Sequence, residues 1–97
     1  MTALETNRFI DSLTFEDNTV RLYGRVYWCL RVSWNEKTGR HYVTVFECDK
    51  ESYEWIRGLL LYESESFDEC MRHFLEDQHW DGKSFYEVAP DMEWIDL

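Results

Sequence analysis

The sequence has few residues that interrupt or cross-link a chain. Its 97 residues include one proline, four glycines and three cysteines. Linkers between domains are usually rich in proline, glycine or serine, so this scarcity argues against a second domain. Three cysteines are an odd number without close spacing, which is typical of reduced thiols. We therefore predict a single compact domain over residues 1–97.

Segments that direct a chain to a membrane are also missing. The first ten residues, MTALETNRFI, have neither the basic start nor the apolar run of a signal peptide. No apolar stretch approaches the ~20 residues that a membrane-spanning helix needs. We therefore expect a cytoplasmic protein without a membrane partner.

Basic residues are scarce in the second half. The formal net charge is −10, but residues 1–46 carry +1 and residues 47–97 carry −11. The stretch YESESFDEC, residues 62–70, holds four carboxylates, and no Lys or Arg lies between Arg57 and Arg72. Such a half repels nucleic acids and anionic membranes and attracts basic proteins.

Aromatic and apolar residues, by contrast, are plentiful. The sequence is 44% hydrophobic and 18% aromatic. Aromatic rings bury much surface each, which helps a small core. A disordered acidic tail would lack them, so the composition predicts a folded domain.

Apolar residues alternate from Val20 to Trp34, and this is the strongest structural pattern in the sequence. Gly24 interrupts it and predicts a turn or bulge between two strands. The loop Asn35–Gly39 predicts a hairpin, and residues 40–48 (RHYVTVFEC) predict the returning strand. These segments predict an antiparallel meander.

Helical spacing marks three other segments. Residues 3–13 predict a short N-terminal helix. After a candidate N-cap at Asp49, residues 50–62 predict a helix whose core stripe is Tyr53, Ile56, Leu59 and Leu60. The capping box Ser66-Phe67-Asp68-Glu69 predicts the start of a third helix that ends near His79. Its i, i+3, i+4 pattern is formed by Phe67, Cys70, Met71, Phe74, Leu75 and Gln78.

After a turn at Asp81-Gly82, residues 84–88 and 92–97 have strand-like patterns, as an edge strand or an extended tail. The predicted fold class is α+β. An antiparallel sheet of about three strands, plus a possible C-terminal strand, carries two main helices on one face and the short N-terminal helix.

No motif indicates catalysis or metal binding. Cys70, His73 and His79 have C-x2-H-x5-H spacing, but Cys70 lies on the apolar stripe and His73 points off it. No nucleophile elbow, Gly-rich loop or phosphate cradle is present. We expect a non-enzyme without cofactor or metal.

Nucleic-acid binding is a further alternative. Arg21, Tyr23, Arg25, Tyr27 and Arg31 share the odd face of the predicted sheet, and basic aromatic sheet faces bind single strands in some proteins. The whole-chain charge opposes this, because phosphate contacts dominate nucleic-acid affinity. The simpler interpretation is a solvated face on which Arg stems cover Tyr rings. We expect no direct nucleic-acid binding.

The acidic residues have a structural explanation only in part. A helix macrodipole favours Asp68 and Glu69 in the first turn, but it does not favour Glu76 and Asp77 near the end. A need for solubility explains an excess of acidic residues that is spread evenly over a chain, but here the excess lies in one half. The alternative is that a regular array of carboxylates imitates the phosphates of DNA. The row through Glu65, Glu69 and Glu76 extends if the predicted helices pack side by side. The candidate partner-binding residues are Glu51, Glu54, Glu63, Glu65, Asp68, Glu69, Glu76 and Asp77.

In the order of its segments the chain resembles the small acidic DNA-mimicking group of phage anti-CRISPR proteins, most of all a type I-F inhibitor. The segments that carry the resemblance are a short helix, the strands around VRLYGRVYWCLRVSW and HYVTVFEC, and the predicted helices DKESYEWIRGLLLY and SFDECMRHFLED. The resemblance implies an inhibitor in a bacterial host cell that binds a CRISPR surveillance complex (Cascade/Csy type) and blocks target-DNA binding. It does not assign any functional residue of that group to a position in this sequence.

Two other classes fit the same residues. Immunity proteins that neutralise bacterial nuclease toxins are small and acidic, and they cover a basic active site with carboxylates and aromatics. A phage adaptor or structural protein is the third alternative.

Overall fold

The computed structural model describes residues 1–24 and 26–96. It has five strands in one antiparallel sheet, ordered β4-β3-β2-β1-β5, and three α-helices, so the α+β class is confirmed. The elements in chain order are α1 (Ala3–Ser12), β1 (Asn18–Tyr23), β2 (Tyr27–Asn35), β3 (Arg40–Cys48), β4 (Trp55–Ser64), α2 (Phe67–Glu76), α3 (Phe85–Val88), a 3-10 turn (Ala89–Asp91) and β5 (Glu93–Asp96).

The first three strands confirm the predicted meander. Alternate residues point to opposite sides of a strand, so the even positions of β1 and β2 share one side with the odd positions Val43 and Val45 of β3. That side, the inner face, is buried under the helices. The β2–β3 loop is the predicted hairpin, in which Gly39 has a φ of 70° and its N–H donates to the carbonyl of Asn35 at 2.8 Å.

The helix predicted over residues 50–62 is wrong, because residues 55–64 form strand β4 beside β3. The Asp49 carboxylate accepts hydrogen bonds from the N–H groups of Glu51 and Ser52, both at 2.9 Å. This caps a turn rather than a helix, and Tyr53 leaves the turn with a φ of 61°. Pairing with β4 satisfies the backbone hydrogen-bonding groups at the edge of β3. This gain outweighs the weak helical pattern of the segment.

A β-bulge explains why the pattern of β4 looked helical. Val45 pairs with Leu60 and Phe46 pairs with Gly58, so Leu59 is an extra residue between the two pairs. A bulge turns the extra side chain out of strict alternation. The adjacent residues Leu59 and Leu60 therefore both pack against the core, whereas Ile56 of the predicted stripe is 57% exposed.

Helix α2 begins where the sequence predicts. The Ser66 hydroxyl accepts a hydrogen bond from the Glu69 N–H at 3.2 Å. The reciprocal half of the capping box is not formed, because the Glu69 side chain turns toward β4 instead. The helix buries Cys70, Met71, Phe74 and Leu75 and ends at Glu76, a few residues before the predicted end near His79.

The C-terminal segment was predicted partly wrongly. Residues 84–88 are not a strand but contain the short helix α3, at whose start the Ser84 N–H donates to the Glu87 carboxylate at 3.2 Å. Four residues of the other predicted strand, 93–96, form β5 and pair with β1 at the sheet edge. Leu97 and Arg25 lie outside the described residues.

All three helices pack on the inner face. Phe9 of α1, Phe74 of α2 and Phe85 of α3 are fully buried, with ring centroids 4.8–6.5 Å apart. Only α2 is a main helix of the predicted kind. The opposite side of the sheet, the open face, carries no helix within the described residues.

Candidate protein-binding surfaces

Several exposed carboxylates lie on the helices and turns that follow β4. From residue 66 to residue 92 the chain has seven acids but only Arg72 and Lys83 as bases. Five of these carboxylates are exposed, and none forms an ion pair within the described residues. We call them the acidic surface: Asp68, Glu76, Asp81, Glu87 and Asp91.

The eight candidate residues from the sequence do not form one row. Glu51 and Glu54 lie in the turn before β4, whereas Glu63 is near its end and Glu65 follows it. A ten-residue strand spans about 33 Å. The row required two helices side by side, and β4 replaces one of them.

Arg40 supplies the counter-charge that YESESFDEC lacks. Its Nε lies 3.4 Å from Glu63 Oε2, and its Nη1 lies 4.0 Å from Glu65 Oε1. Residues 40 and 63 meet because β3 and β4 are antiparallel neighbours. Glu63 and Glu65 are therefore partly neutralised.

Glu69 is engaged inside the fold. Its carboxylate accepts hydrogen bonds from the Tyr62 hydroxyl at 2.7 Å and from the Ser64 hydroxyl at 2.9 Å. These bonds stabilise the charged form and lower the pKa of Glu69. Glu69 thus joins the start of α2 to β4 and is less available to a partner than an exposed acid.

Asp77 is engaged in a similar way at the other end of α2. Its carboxylate contacts His73 Nδ1, and His79 Nε2 lies 3.5 Å away. The hydrogen bond to His73 is the main reason that the pKa of Asp77 is lowered. Of the four candidates on or beside α2, Asp68 and Glu76 are the ones that remain exposed and unpaired within the described chain.

Sequence reasoning missed three members of the acidic surface. Asp81 and Glu87 belong to segments that were interpreted as a turn and a strand, and Asp91 lies in the 3-10 turn. Their charges were visible in the sequence. Their position on the helical side depends on how the segment after α2 packs, which the sequence pattern did not indicate.

The open face is aromatic and basic. The Arg21 guanidinium lies 5.6 Å from the ring centroid of Tyr27 and 5.0 Å from that of Tyr53. Tyr27 is buried beneath this cluster, and burial raises the pKa of Tyr27 to about 12. Trp55 and Leu61 of β4 are 68% and 74% exposed. A single guanidinium, that of Arg21, thus lies over two tyrosine rings.

The spacing of Cys70, His73 and His79 does not produce a metal site. The Cys70 thiol is buried with its Sγ 3.4 Å from the His41 carbonyl, and burial raises the pKa of Cys70. His73 instead stacks on Tyr62 at a centroid distance of 3.8 Å. The described residues contain no group of three or more potential ligands suited to a metal ion.

No family model, curated protein or solved structure matches this chain. Any function must therefore be argued from the two surfaces themselves. In the part of the chain that is described, no helix combines the length and apolar character required to cross a membrane.

Proposed function

We propose that the protein is a non-catalytic inhibitor that binds a basic, nucleic-acid-binding protein through its acidic surface. In the specific form that the resemblance implies, it is an anti-CRISPR protein. It would occupy the DNA-binding surface of a surveillance complex of the Cascade or Csy type and block target-DNA binding.

The observation that carries the proposal is the group of exposed carboxylates that form no ion pair with another described residue: Asp68, Glu76, Asp81, Glu87 and Asp91. Duplex DNA presents one charge per ~1.7 Å of axis, and a protein that grips it aligns Lys and Arg with that array. Carboxylates held on the packed helices and the turns beside them offer those cations an alternative set of anions. The charge of −10 also speeds the approach to a basic partner.

Two arginines of the open face give the proposal an orientation. Arg21 and Arg31 lie on the open face, where they would repel a basic partner. The helical side would therefore face the partner.

The test compares two charge-matched variants. One carries Asp68→Asn, Glu76→Gln and Glu87→Gln on the acidic surface; the other carries Glu16→Gln, Asp17→Asn and Glu36→Gln, which are exposed loop acids outside this set. Both changes remove three charges. Calorimetry with a purified type I-F surveillance complex, at two salt concentrations, gives the affinities, and a target-DNA binding assay gives the inhibition.

We expect the first variant to bind about tenfold more weakly or worse, since truncating a desolvated charge pair costs ~2–5 kcal/mol. It should also depend less on salt. The loop variant should change affinity by less than about threefold, because its acids lie outside the contact and act only through screened long-range attraction. Equal losses in both variants, or a parent protein that leaves target-DNA binding intact, would contradict the proposal.

A second candidate is an immunity protein for a nuclease toxin. The observation that favours it is the turn before β4, where Glu51 and Glu54 stand beside the exposed rings of Tyr53 and Trp55. Carboxylates with aromatics suit a basic active site that must be covered. Inhibition of a purified nuclease toxin, lost in Glu51→Gln/Glu54→Gln, would favour this function over the first.

A further inference from the structure

A cleft of about 160 Å³ opens on the inner face at the end of the sheet where β2 and β4 begin. It lies between the sheet and the segment from Trp80 to Met92. Trp28 and Trp80 form much of its wall, and their rings meet edge to face at 5.0 Å. Val88 of α3 lines the opposite side.

The fold itself builds this cleft. The β-bulge directs Leu59 toward the inner face, next to the buried Leu60. Helix α2 packs over β3 and the later part of β4, as its contacts with Tyr62 and Ser64 show. The first residues of β4 are therefore left uncovered, and Leu59 remains half-exposed.

Charge at the rim selects the kind of group that can enter. Arg57, Asp81 and Asp91 line the opening. The Arg57 Nε lies 3.4 Å from Glu47 Oε2, so its charge is offset within the sheet. Asp81 and Asp91 are exposed and have no ion pair among the described residues. An apolar wall with two free carboxylates above it favours a flat apolar group that carries a positive charge.

We propose that this cleft binds one cationic aromatic group. An apolar cavity of ~150 Å³ accommodates a benzene molecule, so the cleft matches a single ring. If the inhibitor function above holds, the group belongs to the basic partner, as an aromatic side chain next to Lys or Arg. The assignment of this group to the partner rests on the proposed function, whereas the preference of the cleft for a cationic aromatic group does not.

The first experiment uses three small probes of similar size and no protein partner. They are 2-phenylethylamine, 2-phenylethanol and phenylacetate, which are cationic, neutral and anionic at neutral pH. Titrations followed by the indole N–H signals of Trp28 and Trp80 report on the cleft, and those of Trp34 and Trp55 serve as internal controls. We expect the amine to bind about tenfold more tightly than phenylacetate at low salt, with a smaller difference at high salt.

Variants then assign the site. Leu59→Trp fills the cleft and should abolish binding of all three probes, whereas Leu61→Trp, the same change on the open face, should leave it intact. Asp81→Asn with Asp91→Asn should remove the preference for the amine but keep phenylethanol binding. This pair avoids the core and stays informative even if Leu59→Trp does not fold.

Three outcomes would overturn the inference: signals of Trp28 and Trp80 that do not move, equal affinities for amine and phenylacetate, or equal losses in the two tryptophan variants. Because no partner is present, these outcomes are independent of the inhibitor proposal. With the surveillance complex, Leu59→Trp should weaken binding tenfold while Leu61→Trp does not. Equal effects of the two variants on binding to the complex would show that the cleft is not part of the interface.

Discussion

The four carboxylates of YESESFDEC have different environments. Glu63 and Glu65 share Arg40, which comes from the neighbouring strand. Glu69 is held by two hydroxyls, and Asp68 is exposed in the first turn of α2, where the macrodipole favours it. The folded chain therefore gives three of the four carboxylates a partner, and it leaves Asp68 exposed with no ion pair among the described residues.

At Glu69 we predict a pH-dependent contribution to stability. Its pKa is below the ordinary value of 4.5 in the folded chain. A lowered folded pKa stabilises the protein above the unfolded pKa, and this contribution is lost as pH falls through the folded pKa. Glu69→Gln should lower the thermal midpoint at pH 7, and the difference from the parent should shrink below pH 4.5.

The matched control for this prediction is Glu76→Gln, also on α2 but exposed. It should leave the midpoint almost unchanged or raise it slightly, because like-charge repulsion falls. Thermal melts from pH 7 to pH 3 provide the comparison. If both variants shift the midpoint equally at every pH, the bonds to Tyr62 and Ser64 contribute little.

At the scale of elements, β4 is the part of the chain where local pattern and tertiary structure disagree most. Tyr53, Ile56, Leu59 and Leu60 have helical spacing, yet the segment pairs with β3. The bulge at Leu59 allows two adjacent leucines of one strand to pack against the same core. It also leaves Ile56 in solvent and Leu60 in the core.

Substitutions in β4 distinguish the strand from a helix. Leu60→Ala should lower the free energy of unfolding by ~2–5 kcal/mol, the usual cost of truncating a buried leucine. Ile56→Ala should change it by less than ~0.5 kcal/mol, because its side chain is exposed. Urea unfolding measures both. Similar large losses at the two positions would instead indicate that Ile56 belongs to a buried helical stripe.

At the scale of the whole molecule, the acidic surface and the open face lie on opposite sides of the sheet. The helical side carries the acidic surface, while the open face carries Arg21 and Arg31. The aromatic and basic open face resembles the sheet faces that bind single strands. The net charge of −10 opposes such binding over the molecule as a whole.

We therefore predict that the protein does not bind DNA, single-stranded or duplex, at physiological salt. A gel-shift titration of both forms should show free DNA throughout. The matched variant is Arg21→Ala/Arg31→Ala, which should behave like the parent. A shifted single strand that is lost in this variant would instead identify the open face as a nucleic-acid-binding surface.

Where a pattern is local and strong, the sequence alone was sufficient to predict the element. Alternation over residues 20–34 predicted β1 and β2, Gly39 marked the hairpin, and Ser66 marked the start of α2. Side-chain period and capping depend on neighbours within a few positions, so they can be read along the chain. The acidic character of the second half was equally evident.

Only the tertiary structure decided the conformation of β4, the partners of the carboxylates and the position of the cleft. Residues 50–62 form a turn and most of a strand because β3 offers an unpaired edge, and a short-range pattern contains no information about that edge. Arg40 neutralises Glu63 across 23 positions, and Glu69 turns inward to β4. Which carboxylates stay free therefore depends on contacts between residues distant in sequence. The same contacts create the cleft between Trp28, Leu59 and Trp80, since its walls come from three separate segments.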